Sequence, residues 1–217
     1  MNYRIITIGR QYGSGGREIG EKLAQTLGVR CYDALLLERS AEQSGISQSV
    51  LERYDEQLTD KWLNLALFSG GREIQQLPLS IRASIAQFET IRNIARSEPA
   101  VIIGRCADYV LRERNDVFSV FVHASLDRRI ARVAARNQIG EAEAKKRIQN
   151  TDRHRAAYYN CSTDRQWGAS ESYQLCIDSG LFGIDGTVSA LRSCLQVLEA
   201  ESAVPAGPET TSDKEGC

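Results

Sequence analysis

The sequence predicts an α/β protein built on a five-stranded parallel sheet flanked by helices. Three observations carry this reading: five short apolar, β-branched runs, longer stretches of helical periodicity between them, and a glycine-rich turn that joins the first run to the first helix. With 217 residues, 42% hydrophobic and 25% charged, the chain is long enough to bury a core without disulfides or a metal.

The first strand is Arg4 to Gly9 (RIITIG), where the β-branched residues suit a buried pleated surface. After the glycine turn, Arg17 to Leu27 carries Ile19, Leu23, Ala24 and Leu27 at the spacing of one helix face. Val29 to Asp33 is the second strand. From Ala34 to Ser97 strand signals are absent and helical patterns recur, with Gly70, Gly71 and Pro78 as breaks, so residues 34–97 read as an inserted helical lobe. Ala100–Gly104 and Val117–His123 are the third and fourth strands. A helical segment, Asp127 to Tyr159, separates them from the fifth, Leu175–Asp178. The tail, residues 202–217, holds two of the four prolines and almost no large apolar residue, and is expected to be disordered. One domain, 1–201, remains.

Charge excludes some functions and localises others. The 27 Lys and Arg against 28 Asp and Glu leave a net −1, which argues against a nucleic-acid or anionic membrane-surface partner. The balance is uneven along the chain. Residues 128–155 hold nine basic residues against three acidic ones, a net +6. Six dispersed cysteines with no C-x-x-C pair, and no signal-like apolar run after Met1, read as reduced thiols in the cytoplasm. The histidines, His123 and His154, lie near no cysteine pair, so no metal ligands are assigned. No apolar run reaches the roughly 18–20 residues of a membrane helix.

The turn Gly9-Arg-Gln-Tyr-Gly-Ser-Gly-Gly-Arg-Glu18 follows a strand and opens a helix. Such glycines let backbone N–H groups converge on an anion, and the helix N-terminus adds partial positive charge, so the turn reads as a phosphate site made by Gly9, Arg10, Gly13, Ser14, Gly15, Gly16 and Arg17. It departs from G-x-x-x-x-G-K-[ST], having no lysine and no hydroxyl after the basic residue. Arg17 is the expected substitute cation, with Arg10 able to reach in from the loop. Two alternatives stand beside this. Gly13-Ser-Gly15 with Asp33 twenty residues on partly matches a dinucleotide fingerprint, whose third glycine position holds Glu18. The other is a strand-to-helix turn that binds nothing.

Six stretches resemble, in order and spacing, the cytidylate kinase-like branch of the P-loop nucleoside monophosphate kinases. They are ITIGRQYGSGGREIGEKLA, YDALLLE, VIIGRCADYVL, FSVFVHASLDRRIARV, DRHRAAYY and CIDSGLFGIDGTV, and the resemblance covers about Ile5 to Leu198. The resemblance implies a P-loop NTPase-type fold with a helical monophosphate-binding insertion and an arginine-rich lid, about residues 136–168. It implies a phosphotransferase that moves the γ-phosphoryl group of ATP to a nucleoside monophosphate, CMP or dCMP by family default, or to another small phosphorylated acceptor. Small-molecule nucleotides are then the partners, and Mg2+ is expected with the nucleotide, with no dedicated protein ligand identified.

By the same resemblance, Arg153 and Arg155 approach the transferring group, joining Arg17 as catalytic residues, and Asp152 the acceptor sugar. Arginine suits this work because its planar fork binds phosphate oxygens in pairs. Arg105, after Gly104 at the end of the third strand, is expected on the acceptor, with Asp33, Arg92 and Asp108. Asp108 lies two positions beyond Cys106, where the family has its aspartate. Arg128, Arg129, Arg132 and Arg136 read as a solvated helix face, His154 as a lid surface residue, and Asp178 as the cap of the next turn. Trp62, Trp167, Tyr158 and Tyr159 read as packing. The missing lysine and hydroxyl also raise a second class of function, a nucleotide-binding regulatory module without catalysis; an oxidoreductase is the third.

Overall fold

In the computed structural model, which describes residues 3–53 and 78–202, the strands fall where the apolar runs place them: β1 Ile5–Arg10, β2 Arg30–Tyr32, β3 Ala100–Ile103, β4 Val117–His123 and β5 Leu175–Asp178. All pair in parallel, in the order β2-β3-β1-β4-β5. Ile5 faces Ala100 on one side and Val117 on the other, and the β1–β4 ladder runs on to Arg10 opposite Val122. A central parallel strand is covered on both faces, which is why Ile5, Ile6 and Ile8 are consecutive apolar residues with no polar alternation. In the doubly wound dinucleotide fold β2 lies beside β1. Here β3 takes that place, so the partial fingerprint lacks its architecture.

Helix α1, Gly16–Leu27, packs on one face with α8, Ser179–Ser202, joining Ile19 and Leu23 to Val188, Leu191 and Leu195. Gly20 brings α1 close: a Cβ there would lie 2.8 Å from Ile103 Cδ1. The opposite face is covered by α4, Leu79–Ser97, and the short α5, Ala107–Val110, through Phe88, Ile91, Ile94 and Val110. Between β2 and β3 the described part of residues 34–97 is helical, with α2 at Ala34–Ser44 and α3 at Gln48–Arg53 ahead of α4. These helices share a small core of Leu37, Ile46, Leu51, Ala83 and Ala86. Helix α4 therefore belongs both to the insertion and to the sheet. Trp62 and the Gly70-Gly71 break lie outside the described residues, as does the tail from 203 onward.

After β4 comes a helical hairpin, α6 (Leu126–Asn137) and α7 (Glu141–Ser162), turning at Gln138. Val133, Ala144 and Ile148 form its core, and Tyr12 of the glycine turn packs against them. Trp167 stacks edge-on against Phe121, with Tyr158 and Tyr159 buried nearby, so these aromatics serve packing. No described helix is long and apolar enough to cross a membrane.

Candidate active site

The glycine turn sits at the carboxyl edge of the sheet, where β1 is flanked by β3 and β4. Open parallel sheets bind their ligands at this edge. Gly13 and Gly15 both have φ of +82°, a left-handed conformation that excludes most side chains. Crowding adds to it at Gly13, where a Cβ would lie 2.9 Å from Val133 Cγ2. The loop is anchored through its middle. Ser14 is fully buried, its Oγ donates to Gln11 O at 2.9 Å, and Ser179 Oγ donates to Ser14 O. Gln11 Oε1 accepts the Ala124 N–H at 3.2 Å. Gly9 lies apart from this cradle. It is inside β1, where a Cβ would come within 2.8 Å of Phe121 Cδ2 and 3.0 Å of Tyr173 Cε1, so its smallness serves ring packing.

Helix α1 begins at Gly16 with Gly15 as its N-cap and no side-chain cap. Arg17, the expected substitute cation, is the second residue of this helix. Gly16 stands where the P-loop lysine would be, and Arg17 where the hydroxyl would be. Arg17 is also engaged elsewhere: its Nε lies 2.9 Å from Glu21 Oε1 and 3.4 Å from Asp33 Oδ2, and about half its side chain is exposed. Its hydrogen bond to Glu21 and the charge of Asp33 raise its pKa further.

Two arginines expected on a solvated face lie against the glycine turn. Arg132 reaches over Gly15, where a Cβ would overlap its Nη1. That nitrogen is buried and has no hydrogen-bond partner among the described residues. Arg129 is 8% exposed and donates to Ala124 O at 3.1 Å, Tyr12 O at 3.2 Å and Asp152 Oδ2. The sequence held a signal for it, since Arg129 shares the helix stripe of Leu126, Ile130 and Val133. Arg128 and Arg136 are exposed, as expected.

Asp152, expected on the acceptor sugar, lies against the phosphate turn. Oδ1 accepts the Tyr12 N–H at 2.7 Å and Oδ2 accepts from Arg129, so its carboxylate ties α7 to the phosphate turn. Arg155 extends that tie, with Nη1 donating to Arg10 O at 3.4 Å and the guanidinium 5.8 Å from the Tyr12 ring centre. Arg153 and His154 face solvent.

Across the edge, Arg105 Nη1 donates to Asp33 Oδ1 at 3.0 Å and to Ile103 O at 3.1 Å, and the residue is 4% exposed. Asp33 thus joins two guanidinium groups, Arg105 and Arg17, and the trio keeps a net positive charge. Gly104, Arg105 and Cys106 have φ of 73°, 54° and 54°. Two non-glycine residues in left-handed conformation store strain of the kind that collects at functional sites. Arg92, half-buried on α4, is not part of this trio. Asp108 turns inward, taking the Tyr159 hydroxyl at 2.6 Å. It lines a cavity of about 240 Å3 with Arg112, Ser119 and Arg165, toward the start of β4. Burial pushes its carboxyl up to about 6, with the Tyr159 hydrogen bond opposing. Asp178 caps the next turn by accepting the Gly180 N–H at 2.7 Å.

The glycines, the uncapped helix start and the Arg132 nitrogen fit an anion such as a nucleotide phosphate. The residues do not fit a direct protein ligand for magnesium. Arg17 replaces the hydroxyl, Ser14 Oγ is bound to Gln11, and no three His, Cys, Asp or Glu side chains converge among the described residues.

A family model described as the cytidylate kinase-like family matches residues 5–181. A cytidylate kinase from Methanothrix thermoacetophila is 30% identical over 200 residues, 90% of this chain and 99% of that protein. Among solved structures, an uncharacterized protein from Eubacterium ventriosum has a TM-score of 0.70 at 29% identity, covering 90% of this chain and 99% of that one. A shikimate kinase from Bacteroides thetaiotaomicron shares the fold, with a TM-score of 0.52 at 17% identity over 88% of this chain and 98% of its own.

Proposed function

The chain belongs to the cytidylate kinase-like family, and from that premise we propose that it moves the γ-phosphoryl group of ATP to a nucleoside monophosphate, with CMP or dCMP as the family's default acceptor. The observation that carries this reading is the Arg132 nitrogen over Gly15. A buried, unpartnered guanidinium N–H beside the positive end of a helix is unfavourable twice over, through desolvation and through like charge. A donor phosphate in the glycine cradle relieves both.

The rest follows from charge placement. The turn orients the donor phosphates with backbone N–H groups, and Arg132 and Arg155 approach from the lid hairpin. Arg105 and Arg17, bridged by Asp33, hold the dianionic acceptor phosphate at the neighbouring strand ends. Phosphoryl transfer asks mainly for this positioning and neutralisation, with little general-base chemistry. His154, exposed on α7, has no part in it.

The test is ADP release from ATP and magnesium with a panel of nucleoside monophosphates, alongside ATP binding by calorimetry. One monophosphate is expected to stimulate ADP release well above the others. A second reading, a nucleotide-binding module without turnover, draws on Gly16 and Arg17 standing where lysine and hydroxyl would be. Tight ATP binding with no turnover on any acceptor favours that module, and absence of ATP binding overturns both.

A further inference from the structure

Measured from the observed start of α1, the turn is not a degraded G-x-x-x-x-G-K-[ST] but a rearranged one. Gly15 is the second glycine of that pattern and Gly16 holds the lysine position. The first glycine, five residues before Gly15, is Arg10. A cation and a glycine have therefore changed places across the loop.

The structure shows the two positions in contact. Arg10 is the last residue of β1, its backbone fixed in the ladder opposite Val122 and its carbonyl accepting from Arg155. Its stem runs over Gly16: a Cβ on Gly16 would lie 2.6 Å from Arg10 Cβ and 3.1 Å from Arg10 Cγ, with Val122 Cβ 3.6 Å away on the next strand. The first of these separations is closer than packed carbons tolerate, and the clashing atom belongs to the rigid base of the side chain. A lysine at 16 and an arginine at 10 exclude each other.

We propose that Arg10 supplies the donor-phosphate cation that the P-loop lysine supplies elsewhere, entering from the strand end of the loop, and that Gly16 is glycine to admit it. The role of Arg10 rests on the donor-site reading above; the steric exchange with Gly16 does not. The side-chain chemistry suits the altered approach. A guanidinium can pair two phosphate oxygens, and an arginine carries it on a long stem. Arg17 lies on the acceptor side, beside Glu21 and Asp33. Arg132 covers the adjacent Gly15 from α6, so the two arginines cover successive glycines of the cradle.

Four variants test this: Arg10→Met, Arg10→Gly, Gly16→Lys and the double exchange R10G/G16K. Each is measured for ATP affinity in magnesium by calorimetry and for its ligand-free thermal midpoint. Arg10→Met keeps a stem over Gly16 and removes the charge, so it is expected to keep the native midpoint and lose about 10- to 100-fold in ATP affinity, the range of a charge-assisted hydrogen bond. Gly16→Lys is expected to lower both affinity and midpoint. The double exchange recreates the lysine arrangement and regains both relative to either of its single parents. Arg10→Met binding ATP like the native chain overturns the proposal, as does a double exchange that binds no better than Arg10→Gly. A native chain that binds no ATP overturns the donor-site reading and the role of Arg10 with it. In that case the midpoints of Gly16→Lys and the double exchange still decide whether the two positions exclude each other.

Discussion

At Arg132 the ligand-free site is out of electrostatic balance. Its buried Nη1 has no acceptor among the described residues and lies against the uncapped start of α1. Removing the charge should therefore separate binding from stability. Arg132→Met is expected to weaken ATP binding by about tenfold or more while the ligand-free midpoint holds or rises, because an unpaired buried donor is lost. A midpoint that falls by several degrees would show that Arg132 serves the fold. Asp108 is the opposite case, a carboxyl whose burial matters for stability. Its folded pKa, about 6, lies above the ordinary value of 3.8, so the folded state holds the proton more tightly than the unfolded chain. The stabilisation from protonated Asp108 is full below pH 4 and is lost as pH rises through about 6, a change of about 3 kcal/mol across that window. Asp108→Asn keeps an acceptor for Tyr159 and does not ionise. It is expected to gain stability relative to the native chain between pH 4.5 and pH 8, read by thermal midpoints at both; an equal difference at the two pH values contradicts this.

Among the elements, the α6–α7 hairpin and the phosphate turn behave as one unit. Tyr12 packs into the hairpin core, and the Asp152 carboxylate receives both the Tyr12 N–H and Arg129. Arg129 and Asp152 are largely buried, at 10% and 17% side-chain exposure. Asp152→Ala leaves a buried guanidinium without its carboxylate, and is expected to lower stability by about 3 kcal/mol or more. Urea unfolding checks it, and a change under about 0.5 kcal/mol, the level of an ordinary surface substitution, would reduce the contact to a surface pair. The element boundaries show where periodicity could be read. Helix α1 and the strands were legible because one stripe or a continuous run is apolar. The hairpin was legible as helix, but its arginines were not separable by sequence. Arg128 and Arg129 are neighbours in a charged segment, yet one faces solvent and the other is buried.

Over the whole molecule, a net charge of −1 conceals a segment of +6, and the fold brings part of that segment to one edge of the sheet. ATP affinity is accordingly expected to fall several-fold between about 50 mM and 500 mM salt while the thermal midpoint changes little, since exposed arginines are screened and buried pairs much less so. Salt-independent binding would leave the attraction to the backbone contacts and the buried guanidinium groups.

The sequence by itself determined the five-strand α/β architecture, the helices of the described part of residues 34–97, the glycine turn and the family, because these depend on periodicity, composition and ordered motifs along the chain. Only the tertiary structure decided which cations stand at the glycine turn. Arg17 turned to Asp33, Asp152 became a tether, and Arg132 came to lie over Gly15. The placement of Arg10 against Gly16 was likewise a matter of three dimensions. The physical reason is that a phosphate site is assembled from residues more than a hundred positions apart. An arginine carries the same charge wherever it stands in the sequence, and only the packing around it sets whether that charge meets water, a carboxylate or a ligand.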